Sequence, residues 1–249
     1  MQRIGIPLVV FALSLASTLR ADEVRVAVAS NFTAPMEKIA AGFERSTGHA
    51  IVMASGATGK FYAQIKNGAP FELLLAADDT TPARLEAEGD ALSGSRFTYA
   101  IGKLVLWSAK RSFVDAQGEV LRKADFKHLA LGNPRVAPYG AAVIEVLTRL
   151  KLLDALTPKF VLGENITQAY QFVASGNAEL GFIALSQVIK GGKVEEGSAW
   201  VVPPNLYTPL RQGAVVLKPG TGKPGVAALS EYLKGNEAKA VILSYGYGL

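Results

Sequence analysis

Cysteine is absent from the chain, and histidine occurs only at positions 49 and 128. The first absence removes disulfides and thiolate metal sites. The second excludes a histidine-rich metal centre and any motif with two histidines on one helix. Like charges never gather into runs of five or six, so there is no basic stripe of the kind that tracks nucleic acid, and no nucleic-acid partner is expected. Gly-x-Ser-x-Gly, the nucleophile elbow of many hydrolases, is also missing. Beyond the N-terminus no stretch is long and apolar enough for a membrane span of about 20 residues.

What is present is a globular composition, 49% hydrophobic and 19% charged over 249 residues, enough for one large core or two smaller ones. The chain opens MQRIGIPLVVFALSLASTLRADE. Arg3 supplies a positive start, Ile4 to Leu15 a short apolar run, and small residues follow, which is the pattern of a secretory signal peptide. The leader is placed at residues 1–21, with a cut after Ala21, although Leu19 is a poor residue three positions before it. An exported mature chain follows. Loss of Arg3 and Arg20 lowers the balance from 26 basic against 21 acidic residues to 24 against 21, a mildly basic surface that draws small anions.

From residue 24 onward, strand and helix patterns alternate. Val24–Ala29, Ile51–Ala54 and Phe71–Ala76 read as strands. Helical spacing follows each of them, at Thr33–Glu44, Phe61–Lys66 and Thr81–Glu88. Ala100–Trp107 reads as a further strand with a polar break at Lys103. The pattern then restarts, with strands at His128–Gly132, Phe160–Leu162, Leu180–Ile183, Trp200–Val202 and Gly213–Lys218. Helices are expected at Gly140–Leu150, Thr167–Ala174, Gln187–Ile189, Gly225–Leu233 and Glu237–Tyr245. This is α/β grammar written twice. It predicts two lobes, each a mostly parallel sheet flanked by helices, the second inserted into the first. Residues 22–101 and 212–249 form lobe 1 and residues 102–211 lobe 2, with two hinge crossings and a cleft between them. Such clefts, at the carboxyl ends of strands, are the usual ligand sites.

The loops that enter this cleft carry hydroxyls, amides and glycines: Ser30-Asn31, Ser55-Gly-Ala-Thr58-Gly59, Pro138-Tyr139-Gly140, and Gly163-Glu-Asn-Ile166-Thr167. Each one opens a helix. Taken singly each is an ordinary N-cap; four on one cleft suggest an anion held by free helix N–H groups. SGATGK, residues 55–60, is not a nucleotide loop. Ala54 stands where the first glycine is required, and Phe61 where the Ser or Thr that holds magnesium is required. Lys60 either lends charge to the cleft or is simply solvated. Asp78-Asp79 could hold a metal or act as acid and base, but the better reading is that one carboxylate caps or orients the following loop and the other is solvated.

Five stretches carry a family resemblance: VAVASNFTAPMEKIAAGFERSTGH, SGATGKFYAQIKNGAPFELLLAADDTTPARLEAEG, GNPRVAPYGAA, GENITQAYQFVASGNAELGFIALSQV and YLKGNEAKAVILSYGYG. In these the chain resembles the periplasmic molybdate-binding proteins of bacterial ABC importers, over essentially all of the mature sequence. The resemblance implies the two-lobed, type II periplasmic binding-protein fold. It implies a tetrahedral oxyanion ligand, molybdate or tungstate, held by neutral hydroxyls and backbone N–H groups, with no cofactor and no catalysis. Ser30 and Asn31 match the ligand after the first strand. Thr58 matches the donor of the second loop, with Ser55 the other candidate there. Tyr139 matches a position that is alanine in some members, and Ile166 a backbone donor at a helix start. Ala184 stands where some members carry a ligand tyrosine. A monomer in the periplasm that serves an inner-membrane ABC permease is the implied setting. Sulfate, phosphate or ferric iron on the same fold, or a hydrolase using Asp78 and Asp79, are the alternatives.

Overall fold

The computed structural model describes residues 21–249; the expected leader, apart from Ala21, lies outside the described residues. In chain order the elements are β1 (Glu23–Ala29), α1 (Thr33–Thr47), β2 (Ala50–Gly56), α2 (Thr58–Lys66), β3 (Leu73–Leu75), α3 (Thr80–Ala87), β4 (Phe97–Gly102), β5 (Leu104–Ser108), α4 (Val120–Lys123), β6 (Leu129–Gly132) and α5 (Pro138–Arg149). Then come α6 (Leu153–Leu156), β7 (Phe160–Gly163), α7 (Ile166–Ala174), β8 (Leu180–Ala184), β9 (Ile189–Lys190), β10 (Lys193–Val194), β11 (Ser198–Val201), β12 (Leu210–Val216), α8 (Pro224–Lys234) and α9 (Asn236–Ser244).

Two five-stranded sheets organise the chain, ordered β2-β1-β3-β12-β4 and β11-β5-β8-β6-β7. Each is mixed. In the first, β1 pairs in parallel with β2 and β3, while β12 runs antiparallel to β3 and β4. In the second, β6 pairs in parallel with β7 and β8, while β5 runs antiparallel to β8 and β11. The parallel half of each sheet is as expected. The antiparallel half comes from the strands that carry the chain between sheets. The stretch expected as a single strand, Ala100–Trp107, is two: β4 belongs to the first sheet, β5 to the second, and the chain changes sheets at Lys103. The expected helix at Gln187–Ile189 is instead a 3₁₀ turn, Leu185–Gln187, that leads into the small β9–β10 hairpin.

The period of two in the first strands explains their burial on both faces. Val24, Val26 and Val28 of β1 join Met36, Ile39 and Phe43 of α1, together with residues of α8 and α9. Ala27, on the opposite face, joins Phe61 and Ile65 of α2 and Leu85 of α3. In α1 the apolar residues recur at helical spacing, and the helix stops at Gly48 in the left-handed conformation, φ 76°. A separate core surrounds the second sheet, where Leu104, Leu106, Leu129, Leu131, Phe182 and Ile183 pack with Val143, Val146 and Leu147 of α5.

Strand register places the site. Ala29 at the end of β1 lies opposite Gly56 at the end of β2, and Gly132 opposite Gly163 on β6 and β7. Both parallel pairs therefore finish flush, and the segments that follow them begin at a common level.

Candidate functional site

Between the carboxyl ends of the two sheets lies a small cavity of about 10 Å³, close to the space that one water occupies. It is lined by Ala29, Ser30, Asn31, Gly56, Ala57, Thr58 and Ala77 from the first sheet's side, and by Ala137, Pro138, Tyr139, Asn165 and Ile166 from the second. No Asp, Glu, Lys, Arg or His is among them. Larger recesses, up to about 540 Å³, open elsewhere; volume does not single out this place, but donors do.

Four helical segments start on its wall: the 3₁₀ turn Ser30–Phe32, α2, α5 and α7. Their N-cap residues are Ala29, Ala57, Ala137 and Asn165, and all four line the cavity. Alanine is a poor N-cap because it has no oxygen to accept from the first-turn N–H groups. The three alanine caps accordingly make no side-chain cap bond. Asn165 does cap α7, accepting from the Gln168 N–H at 3.0 Å. At α2 the Val136 carbonyl takes the Gly59 N–H at 2.9 Å; the alanine caps of the 3₁₀ turn and of α5 leave their first-turn N–H groups without a side-chain acceptor, and the partial positive charge of each helix end adds to them.

Side chains complete the wall. Thr58 is buried, and its Oγ1 accepts the Ala77 N–H at 3.0 Å, so its own proton is free for a ligand. Ser30 Oγ has no hydrogen-bond partner among the described residues, while the Ser30 carbonyl accepts from Thr167 Oγ1 across the cleft at 3.1 Å. Tyr139 is 1% exposed, and burial pushes its phenol well above its ordinary range, so the hydroxyl stays protonated.

Five of the six residues expected at the site, Ser30, Asn31, Thr58, Tyr139 and Ile166, stand on this one wall. Ser55 does not. It lies opposite Val28, shares that residue's face of the pleat, and meets Thr33 Oγ1 at 2.6 Å on the exposed side of α1. Asn31 lines the cavity, but both protons of its Nδ2 are used, on Gln212 Oε1 at 2.9 Å and Tyr247 Oη at 3.0 Å. What it can offer a ligand is its main-chain N–H. Ala184 ends β8, fully buried, and does not line the cavity. Lys60 is also off the wall and forms an ion pair with Glu164 at 2.8 Å. Asp78 caps α3, its carboxylate accepting the Thr81 N–H at 2.8 Å and the Thr81 hydroxyl at 3.2 Å. Burial raises its pKa.

Comparison with known proteins identifies the family and the fold. Residues 24–248 match the family described as bacterial extracellular solute-binding protein. The chain belongs to that family. Within it, the chain is 60% identical over 235 residues to the molybdate-binding protein ModA of Azotobacter vinelandii, covering 94% of this chain and 93% of that one. It is 49% identical over 245 residues to ModA of Rhodobacter capsulatus, covering 98% and 96%. The solved periplasmic molybdate-binding protein of Azotobacter vinelandii superposes with a TM-score of 0.88 at 46% identity, covering 91% of this chain and 99% of that one. The α/β arrangement is thus the periplasmic binding-protein fold.

Sequence reading missed one group that this solute-binding fold brings together behind the cavity. Gln212 of β12 is fully buried and bonds Asn31, Tyr99 and Tyr139. Tyr247 donates to the Asn31 carbonyl at 2.7 Å and lies 2.9 Å from Ser186 Oγ. A signal was available: Gln212 stands between exposed Arg211 and the apolar run Ala214–Val216 of the returning strand, but a strand started at Gly213 left it outside.

Proposed function

We propose that the chain is an exported receptor that holds molybdate or tungstate in the cavity between its sheets and delivers it to an ABC permease in the inner membrane. The observation that carries this reading is the convergence of four helix starts, three of them capped by alanine, on one uncharged cavity lined by three hydroxyl-bearing residues, Ser30, Thr58 and Tyr139. A buried dianion needs every oxygen hydrogen-bonded. Here the donors are neutral, so the anion brings the only charge. Each hydrogen bond to a charged group contributes about 1.5–3 kcal/mol. A handful of them exceeds the roughly 8 kcal/mol of micromolar binding and approaches the roughly 12 of nanomolar binding, before desolvation and closure are subtracted. The names of the relatives at 60% and 49% identity favour molybdate over the sulfate, phosphate and iron alternatives.

Ser30, Thr58, Tyr139, Ile166 and the Asn31 main chain are the proposed contacts. The lobes are 22–101 with 212–249, and 102–211; the change of sheets at Lys103 and the return on β12 support that division. The leader at 1–21 places the mature chain in the periplasm, and among the described residues no helix is long and apolar enough to cross a membrane. A non-catalytic monomer completes the proposal; the capping role of Asp78 supports its non-catalytic part. Titration calorimetry with molybdate, tungstate, sulfate and phosphate tests it. Molybdate or tungstate binds far more tightly than sulfate, and Ser30→Ala and Thr58→Ala each weaken it about tenfold or more. Absence of molybdate binding, or equal affinity for sulfate, sinks the reading.

A further inference from the structure

We propose that Gln212 is a positioning residue of the anion site, acting through Tyr139 to turn the phenolic proton of Tyr139 toward the cavity. The proposal rests on the oxyanion reading above. Gln212 sits within β12, the strand that brings the chain back to the first sheet, at a shift of register against β4. It is fully buried. Its carboxamide spans both sides of the cleft: Oε1 accepts Asn31 Nδ2 at 2.9 Å and lies 2.9 Å from the Tyr99 hydroxyl, whose one proton is shared between Oε1 and the Ala76 carbonyl at 3.0 Å, and Nε2 donates to the Tyr139 oxygen at 3.1 Å.

A phenol has one proton. With a Gln212 N–H directed at its oxygen, Tyr139 cannot donate back along that line. No acceptor for the Tyr139 proton is found among the described residues, and Tyr139 lines the cavity. The proton is left for a ligand. Asn31 fixes the sense of the Gln212 amide, since both Nδ2 protons are used, one on Gln212 Oε1 and the other on Tyr247. A reversed Gln212 would set its NH₂ against the NH₂ of Asn31, and would offer Tyr139 an acceptor that takes the proton out of the cavity. Asn31 thus orients Gln212, and Gln212 orients Tyr139, from the first sheet across to the second.

The backbone has been hollowed to admit this contact. Gly102, the last residue of β4, has no side chain where a Cβ would stand 2.2 Å from the Tyr139 oxygen and 2.7 Å from Gln212 Nε2. Burial also keeps the phenol neutral, so that its proton stays available at any physiological pH.

A double-mutant cycle read by calorimetry with molybdate tests this: wild type, Gln212→Met, Tyr139→Phe and the pair, each checked for folding by thermal unfolding without ligand. Gln212→Met weakens molybdate about tenfold or more. In the Tyr139→Phe background the same change costs less than about threefold, because its target is gone. Gln212→Glu, an isostere that accepts the phenolic proton, weakens binding more than Gln212→Met. Equal factors in the two backgrounds, or unchanged affinity in Gln212→Met, overturn the proposal. A readout that does not depend on Gln212 variants folding is the near-ultraviolet difference spectrum of the wild type on adding molybdate. A tyrosine band that shifts, and is lost in Tyr139→Phe, supports a donated phenolic proton, and no such band overturns it. A wild-type protein that does not bind molybdate overturns the oxyanion reading and this inference together, whereas failure of the cycle with molybdate bound overturns the inference alone.

Discussion

Two sets of contacts join the units built on the two sheets, and they use opposite physics. Behind the cavity, Asn31, Gln212, Tyr99, Tyr139, Tyr247 and Ser186 form a buried, uncharged network in which several polar atoms serve two partners. At the rim, Lys60 meets Glu164 with side chains 45% and 67% exposed, and Gly59 donates its N–H to the Val136 carbonyl at 2.9 Å. In the dry interior an unpaired polar atom is costly, so the first set is tied to folding. In water the second set is weak and replaceable. The contrast shows why the lysine of SGATGK, the residue in that stretch with a charge, is peripheral, while an uncharged glutamine far along the sequence is central.

The largest effect in the comparison is expected from Asn31→Leu. It leaves Gln212 Oε1 and Tyr247 short of a donor, and denaturant unfolding of the ligand-free protein should register a loss of about 2–3 kcal/mol. A loss under about 0.5 kcal/mol would show that the network is not a stability element. Gly59→Ala separates folding from closure. Alanine favours a helix over glycine by up to about 1 kcal/mol, so ligand-free stability should hold or rise. Its Cβ, however, would stand 3.0 Å from Val136 Cα and 3.1 Å from the Val136 oxygen. Affinity for molybdate should therefore fall about tenfold, the scale of a packing conflict between the two units. Unchanged affinity would remove this contact from closure. Lys60→Ala should change affinity less than about fivefold, and the difference should disappear near 0.5 M salt, as for an exposed ion pair. A larger effect that persists in salt would move Lys60 from rim to site.

The smallest effect concerns pH. Burial raises the phenols of Tyr99, Tyr139 and Tyr247 above their ordinary value of 10.0. A raised phenol favours the neutral folded state. That contribution is complete below pH 10 and is lost as the pH rises beyond it, when the unfolded chain sheds protons that the folded one retains. Molybdate affinity should accordingly stay level between about pH 6 and 9, and denaturant midpoints should fall only above about pH 10. A titration of affinity within the neutral range would point to a charged group in the site.

Much of this was legible because it depends on local patterns. The alternation of strands and helices, the loops after β1, β2, β6 and β7, and Ser30, Thr58, Tyr139 and Ile166 among them could all be read from periodicity, turn residues and family motifs. Ser55 was misplaced because two neighbouring hydroxyls at a strand end look alike in sequence, and the pleat decides between them. Ala100–Trp107 looked continuous because both halves are apolar, and only tertiary pairing assigns β4 and β5 to different sheets. Gln212 and Tyr247 were invisible as a pair because their meeting with Asn31 spans 181 and 216 positions.

The alanine caps have a thermodynamic consequence. Replacing a good N-cap by alanine costs a helix about 0.5–2 kcal/mol, so this fold leaves the starts of the 3₁₀ turn and of α5 without a side-chain cap, while α2 borrows the Val136 carbonyl. An oxyanion seated among them would act as a shared cap for segments from both sheets. Ligand would then do more than add its binding energy to the folded state: it would fasten two separately cored units at their weakest ends. Thermal unfolding should accordingly move to higher temperature with molybdate and sharpen.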